Sequence, residues 1–128
     1  MLAEHDIEVS YGIGAGRDAM RQILAIGSEP PNAVICGTDQ LALGAIIDAR
    51  GRGLDVPADL SIIGFNDADY AAFLSPALTT LKIRSEDIGR ASADHLIAKM
   101  TGQATVQLTE IDVDLIVRGS TAPPARHP

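Results

Sequence analysis

The chain has 128 residues, 46% hydrophobic and 21% charged, and a net charge of −7. That length suits one domain with a real core. The acidity argues against these residues gripping nucleic acid or an anionic membrane, which both call for a basic face. One cysteine excludes an intrachain disulfide or a multi-cysteine metal site, and no apolar run approaches the ~20 residues that cross a bilayer.

Residues 1–6 read as the tail of a helix, without the basic region and apolar core of a secretory leader, so a cytoplasmic protein is expected. Residues 7–11 alternate apolar and polar and predict a strand. Gly12, Gly14 and Gly16 predict a turn, followed by a helix over 17–26 with Met20, Ile23 and Leu24 as its stripe and Gly27 as its stop. A strand, a glycine loop and a helix invite a dinucleotide reading. However, Arg17 stands where the third glycine of the fingerprint belongs, and no acidic residue follows at the usual distance.

Ala33, Val34, Ile35 and Cys36 form a short buried strand, and Cys36 is read as an inert packing residue within it. Thr38 or Asp39 caps the next helix, which runs to about Arg52 and stops at Gly53 with Pro57 beyond. Residues 61–65 are a second buried strand. Strand, helix and strand in this order make a parallel pair with a right-handed crossover. Ligands in such units sit beyond the carboxyl ends of the strands. Those ends carry Gly37, Thr38 and Asp39 on one strand and Asn66, Asp67, Ala68 and Asp69 on the other.

The helix over 41–52 is apolar almost all round in its first two turns, so it calls for cover on two sides. Residues 70–74 are a short apolar turn, 79–83 a strand, and 85–101 a helix capped by Ser85 with Ile88, Ala91, His95, Leu96 and Met100 on one face. Residues 107–117 predict a final strand, and 120–128 a proline-rich tail.

One long pattern carries a resemblance. It runs Asp39-x-x-Ala42-x-Gly44, Gly53-Leu54-x-Val56-Pro57-x-Asp59-x-Ser61, Gly64-Phe65-Asn66-Asp67, Pro76-x-Leu78-Thr79-Thr80, and ends near Arg118, Gly119, Ser120 and Thr121. It resembles the effector-binding domain of the LacI/GalR family of transcription regulators. The resemblance implies an α/β fold, a parallel-sheet, three-layer, Rossmann-like lobe of the type I periplasmic-binding-protein-like class. That lobe is incomplete, so residues 1–128 would form one C-terminal lobe fragment. The family's helix-turn-helix headpiece and N-terminal lobe have no counterpart here, so DNA would be reached only through a headpiece absent from this chain. The helix over 85–101 would pack on the N-terminal lobe.

The same resemblance implies an effector resembling a sugar or a nucleobase, bound by Tyr11, Thr38 and Asn66, with Asp39 as the helix cap at the site. Tyr11 would offer a stacking face, and Thr38 and Asn66 would hydrogen-bond. Asn66 replaces a usual aspartate, exchanging a charge for an amide that donates and accepts. Ile83 replaces a usual polar residue. A homodimer would form through Leu41, Ala42, Ala45 and Ala49 with Tyr70, Phe73 and Leu74. No cofactor, metal or membrane is implied, and the chain reads as a binding module and not an enzyme. Two alternatives stand beside this. One is a sugar-binding component of a transport system, which shares the fold. The other is a Mg-dependent phosphotransfer enzyme built on Asp39, Asp67 and Asp69 with Thr79, Thr80 and Lys82.

Overall fold

The computed structural model describes residues 6–26, 31–106 and 108–123. Gly27 and most of the expected tail and N-terminal helix end lie outside them. The elements in chain order are α1 (Ile13–Leu24), β1 (Ala33–Ile35), α2 (Asp39–Gly51), β2 (Ser61–Phe65), a 3-10 turn (Ala71–Phe73), β3 (Thr79–Ile83), α3 (Ser85–Met100) and β4 (Val113–Ile116). The sheet order is β1-β2-β3-β4. The first three strands are parallel, with Val34 opposite Ile62 and Gly64 opposite Thr80. β4 is antiparallel to β3, with Lys82 opposite Asp114.

The β-branched run of β2 buries Ile62 and Gly64 on the face that meets α2. Leu60, Ile62 and Leu78 are buried beside Ala42, Ala45, Ile46 and Ala49 from α2 and Met20 from α1. α2 ends as its sequence predicts. Arg52 is the C-cap, and Gly53 follows with φ +84, a left-handed value that favours glycine.

α1 corrects the sequence reading. It starts at Ile13, inside the stretch expected to be a turn. Gly16 and Gly44 sit where α1 crosses α2. A Cβ at Gly16 would overlap the Leu41 carbonyl oxygen and stand 2.8 Å from its Cα, and one at Gly44 would overlap the Ile13 carbonyl oxygen. The glycines therefore let two helical backbones touch, which leaves no room at Gly16 for a dinucleotide phosphate. Asp48, 7% exposed, fastens the same crossing by accepting from Arg21 Nε at 3.1 Å and from Arg52 Nε at 2.7 Å. Burial alone would push its carboxyl up, but the hydrogen bonds and charges of the two arginines carry it below the usual carboxylate value.

Three further expectations change. Residues 7–11 form no strand, because among the described residues none pairs with them in a ladder. Ser85 is the first residue of α3 and not its cap. Arg84 takes that place and makes no side-chain capping bond. β4 begins only at Val113, because pairing with β3 runs only from Ile83 back to Thr80.

Helix α3 contains no buried residue. Ile88, Leu96, Ile97 and Met100 are all exposed, Met100 at 78%. The helix stands off the sheet instead of folding back on it.

Candidate functional site

The polar edge lies at the carboxyl ends of β1 and β2. Thr38 follows β1 and caps α2, its Oγ1 accepting from the Leu41 N–H at 3.2 Å. Asp39, expected as the helix cap at the site, is instead the first helical residue and turns its carboxylate inward. It is 2% exposed. Its Oδ1 accepts from the Thr80 hydroxyl at 2.6 Å and its Oδ2 from the Ala68 N–H at 2.6 Å. The carboxylate has room because residue 64 is glycine. A Cβ there would overlap Asp39 Oδ1 and stand 2.9 Å from Leu78 Cδ2. Asp39 therefore ties α2, the turn after β2 and the start of β3 together, a non-local job that a capping residue does not have.

Asn66 and Asp67 form that turn, with φ +115 and +51. Asparagine and aspartate tolerate positive φ better than most residues, and the conformation persists because its neighbours over-determine it. The Asn66 N–H donates to the Leu81 carbonyl at 2.7 Å, and its side chain is exposed. Asp67 Oδ1 accepts from Arg118 Nη2 at 2.7 Å, and Lys82 Nζ stands 3.9 Å from Oδ2. Arg118 Nη1 also donates to the Leu78 carbonyl at 2.9 Å. Arg118 was noted in the sequence only as part of a motif. Its partner lies 51 positions away, and nothing local announces the pair.

Tyr11 is 85% exposed in the turn before α1. The contact of Ile13 with Gly44 sets that turn near the early part of α2. Tyr70 has a buried hydroxyl without a hydrogen-bond partner among the described residues. Burial, then the charge of Asp39, raises its pKa. Cys36 is buried, and burial followed by the charge of Asp39 pushes its thiol up to about 12.

Among the residues expected at a dimer contact, Ala42, Ala45 and Ala49 are at most 3% exposed within the chain. They meet the chain's own core, so they leave the expected interface set. α1 supplies the second cover that α2 needs. Leu41 and Leu74 are half-buried against the core, Tyr70 is half-buried, and Phe73 is 86% exposed. The outer face of α2 and the 70–75 turn are joined where Arg50 Nη1 donates to the Ser75 carbonyl.

Among the described residues no three of His, Cys, Asp and Glu are grouped to hold a metal ion. The carboxylates of Asp39 and Asp67 are engaged with Thr80, the Ala68 N–H and Arg118. Among the described residues no helix is long and apolar enough to cross a membrane.

Comparison with known proteins places these features. The periplasmic binding protein-like domain family matches residues 2–121. The chain is 44% identical over 108 residues to the HTH-type transcriptional repressor CytR of Escherichia coli K12, covering 84% of this chain and 31% of that protein. A LacI family transcriptional regulator from Bifidobacterium animalis subsp. lactis superposes with a TM-score of 0.86 at 30% identity, covering 93% of this chain and 44% of the other. The lac repressor dimer bound to operator and the anti-inducer ONPF superposes with a TM-score of 0.79 at 33% identity, covering 86% and 38%. This chain thus spans about a third of the length of the curated repressor. It belongs to the periplasmic binding protein-like domain family, has LacI-family regulators as its homologues, and covers part of their effector-binding domain.

Proposed function

We propose that this chain senses a small-molecule effector and pairs with a second copy of itself, as part of a cytoplasmic LacI-type transcriptional regulator, and that it catalyses no reaction. The observation that supports this most is the Asn66 turn. A side-chain amide that can both donate and accept stands at the carboxyl end of a parallel strand, on backbone pinned by Asp39, Thr80 and Arg118. The effector in this reading is a sugar or a nucleobase-like compound. Thr38 and Asn66 bind its polar groups, and Tyr11 supplies a stacking face. DNA is contacted by a part of the regulator outside these 128 residues, consistent with their charge of −7. α3 then packs on a neighbouring lobe that covers Ile88 and Leu96.

The proposed dimer surface is the outer face of α2, where Ile47 is 44% exposed, together with exposed Phe73 of the turn that Arg50 of α2 reaches at Ser75. A twofold pair would bury both apolar side chains. Light scattering at ~100 µM should find a dimer, and Phe73→Glu should shift it to monomer. A monomeric unmodified chain at that concentration, where even a micromolar dimer (~8 kcal/mol) is mostly assembled, would remove this surface.

Effector sensing is tested by titrating the labelled chain with glucose, maltose, cytosine and adenine to ~20 mM. Half a cleft encloses little of a ligand, so affinity near millimolar, worth ~4 kcal/mol, is expected. The amide signals of Thr38 and Asn66 should move with at least one compound, and Asn66→Asp should change which one. Shifts confined to other residues, or an unchanged preference in Asn66→Asp, would contradict the assignment.

A further inference from the structure

Asn66 presents its side chain from a backbone conformation that the chain does not adopt unaided, with φ +115 followed by +51 at Asp67. Something must hold it, and the hydrogen bonds say what. On the helix side, Ala68 N–H is held by Asp39, and Asp67 N–H lies 3.4 Å from the Thr80 hydroxyl oxygen. On the opposite side, the grip on the Asp67 side chain is the guanidinium of Arg118.

Arg118 is itself firmly anchored. Its backbone N–H donates to Thr79 Oγ1 at 2.9 Å, and its Nη1 donates to the Leu78 carbonyl. Two residues on, Ser120 is fully buried. Its hydroxyl donates to the Ile62 carbonyl at 2.6 Å and accepts from the Thr79 N–H at 2.8 Å, while its carbonyl accepts from the Ile62 N–H at 2.8 Å. The segment after β4 is thus stitched beneath the starts of β2 and β3. From that fixed root the planar fork of Arg118, 19% exposed, reaches one carboxylate oxygen and one carbonyl at once. Lys82 at 3.9 Å, with its side chain 56% exposed, is no substitute.

We propose that Arg118 is a positioning residue for effector recognition: anchored to Leu78 and the buried strap, it holds the Asn66–Asp67 turn in its left-handed conformation and so sets the direction of the Asn66 amide. Its importance for ligand binding rests on the effector reading above. Its hold on the turn does not, and needs no ligand to be tested.

The test uses the ligand-free 128-residue chain with Arg118→Met and Arg118→Lys. Amide exchange at Asp67 and Ala68, and the HN–Hα couplings of Asn66 and Asp67, are read by NMR, with the Ile62 amide as the internal reference. Arg118→Met should speed exchange at Asp67 and Ala68 by about tenfold or more and move both couplings toward averaged values, with Ile62 changing less than about threefold. Arg118→Lys keeps one charge near Asp67 but loses the fork, and should fall between. Unchanged exchange at Asp67 and Ala68 would overturn the proposal. So would an equal acceleration at Ile62, which marks a general structural role. Failure here leaves the titration result standing, and a silent titration leaves this one standing.

Discussion

Helices α2 and α3 have 13 and 16 residues, yet α2 buries seven of its residues and α3 none. The difference does not lie in hydrophobic content alone, since α3 carries Ile88, Leu96, Ile97 and Met100. It lies in what stands opposite. α2 is rich in small residues, Ala42, Gly44, Ala45 and Ala49, so α1 and β2 can both approach its backbone. α3 turns the face of Ile88, Ala91, His95 and Leu96 toward Val106 and Ile111 of the segment before β4, an open concavity that leaves none of its residues buried. Close packing is a property of pairs of surfaces, and among the described residues α1 and β2 close on α2 while nothing closes fully on α3. The body built by α1, α2 and the parallel strands thus holds itself together. The arm from Ser85 to Met100 keeps every residue at least partly exposed.

The contrast breaks most severely at glycine. Gly44→Val should cost at least about 3 kcal/mol or abolish folding, because the added side chain meets backbone that cannot yield. Gly89→Ala, in α3, meets nothing within 4 Å and should instead stabilise by about 0.5–1 kcal/mol through helix propensity. Denaturant titration of both variants reads the difference directly. Next come truncations. Ile62→Ala and Leu78→Ala should each cost about 2–5 kcal/mol, and Leu96→Ala, 59% exposed, no more than about 0.5 kcal/mol. Equal costs would mean that α3 is packed after all.

A smaller effect sharpens the account of the α1–α2 crossing. The folded-state pKa of Asp48 is lowered, so the unfolded chain binds its proton first as pH falls. Its stabilising contribution is therefore present above the usual carboxylate value of about 3.9 and is lost below it. Asp48→Asn should flatten the acid limb of stability measured from pH 6 to pH 3. The smallest effect is chemical. With its thiol raised to about 12, Cys36 should resist iodoacetamide at pH 8 in the folded chain and react once urea unfolds it.

What the sequence made legible follows from local chemistry. β2 and β3 were visible as β-branched runs over 61–65 and 79–83, and the end of α2 as Gly53 with Pro57 behind it. What it hid depends on residues far apart. Gly14 and Gly16 look like a turn by local propensity, yet they are helical because the α2 backbone arrives beside Gly16. Ala42, Ala45 and Ala49 look like an interface between copies, yet they meet the chain's own core. Residues 7–11 alternate like a strand, but alternation reports amphipathicity and not the presence of a ladder partner. Thr38 and Asn66 follow β1 and β2, positions that the apolar runs before them make legible. The grip of Arg118 on Asp67 is not legible, since an ion pair across 51 positions leaves no periodic trace.

Native-state hydrogen exchange on the 128-residue chain tests the division into body and arm most directly. Amides of Ala45, Ile46 and Ala49 in α2 should exchange only through global unfolding, while those of Ala91, His95 and Leu96 in α3 should exchange at least about 100-fold faster through local opening. Equal protection in the two helices would contradict the account.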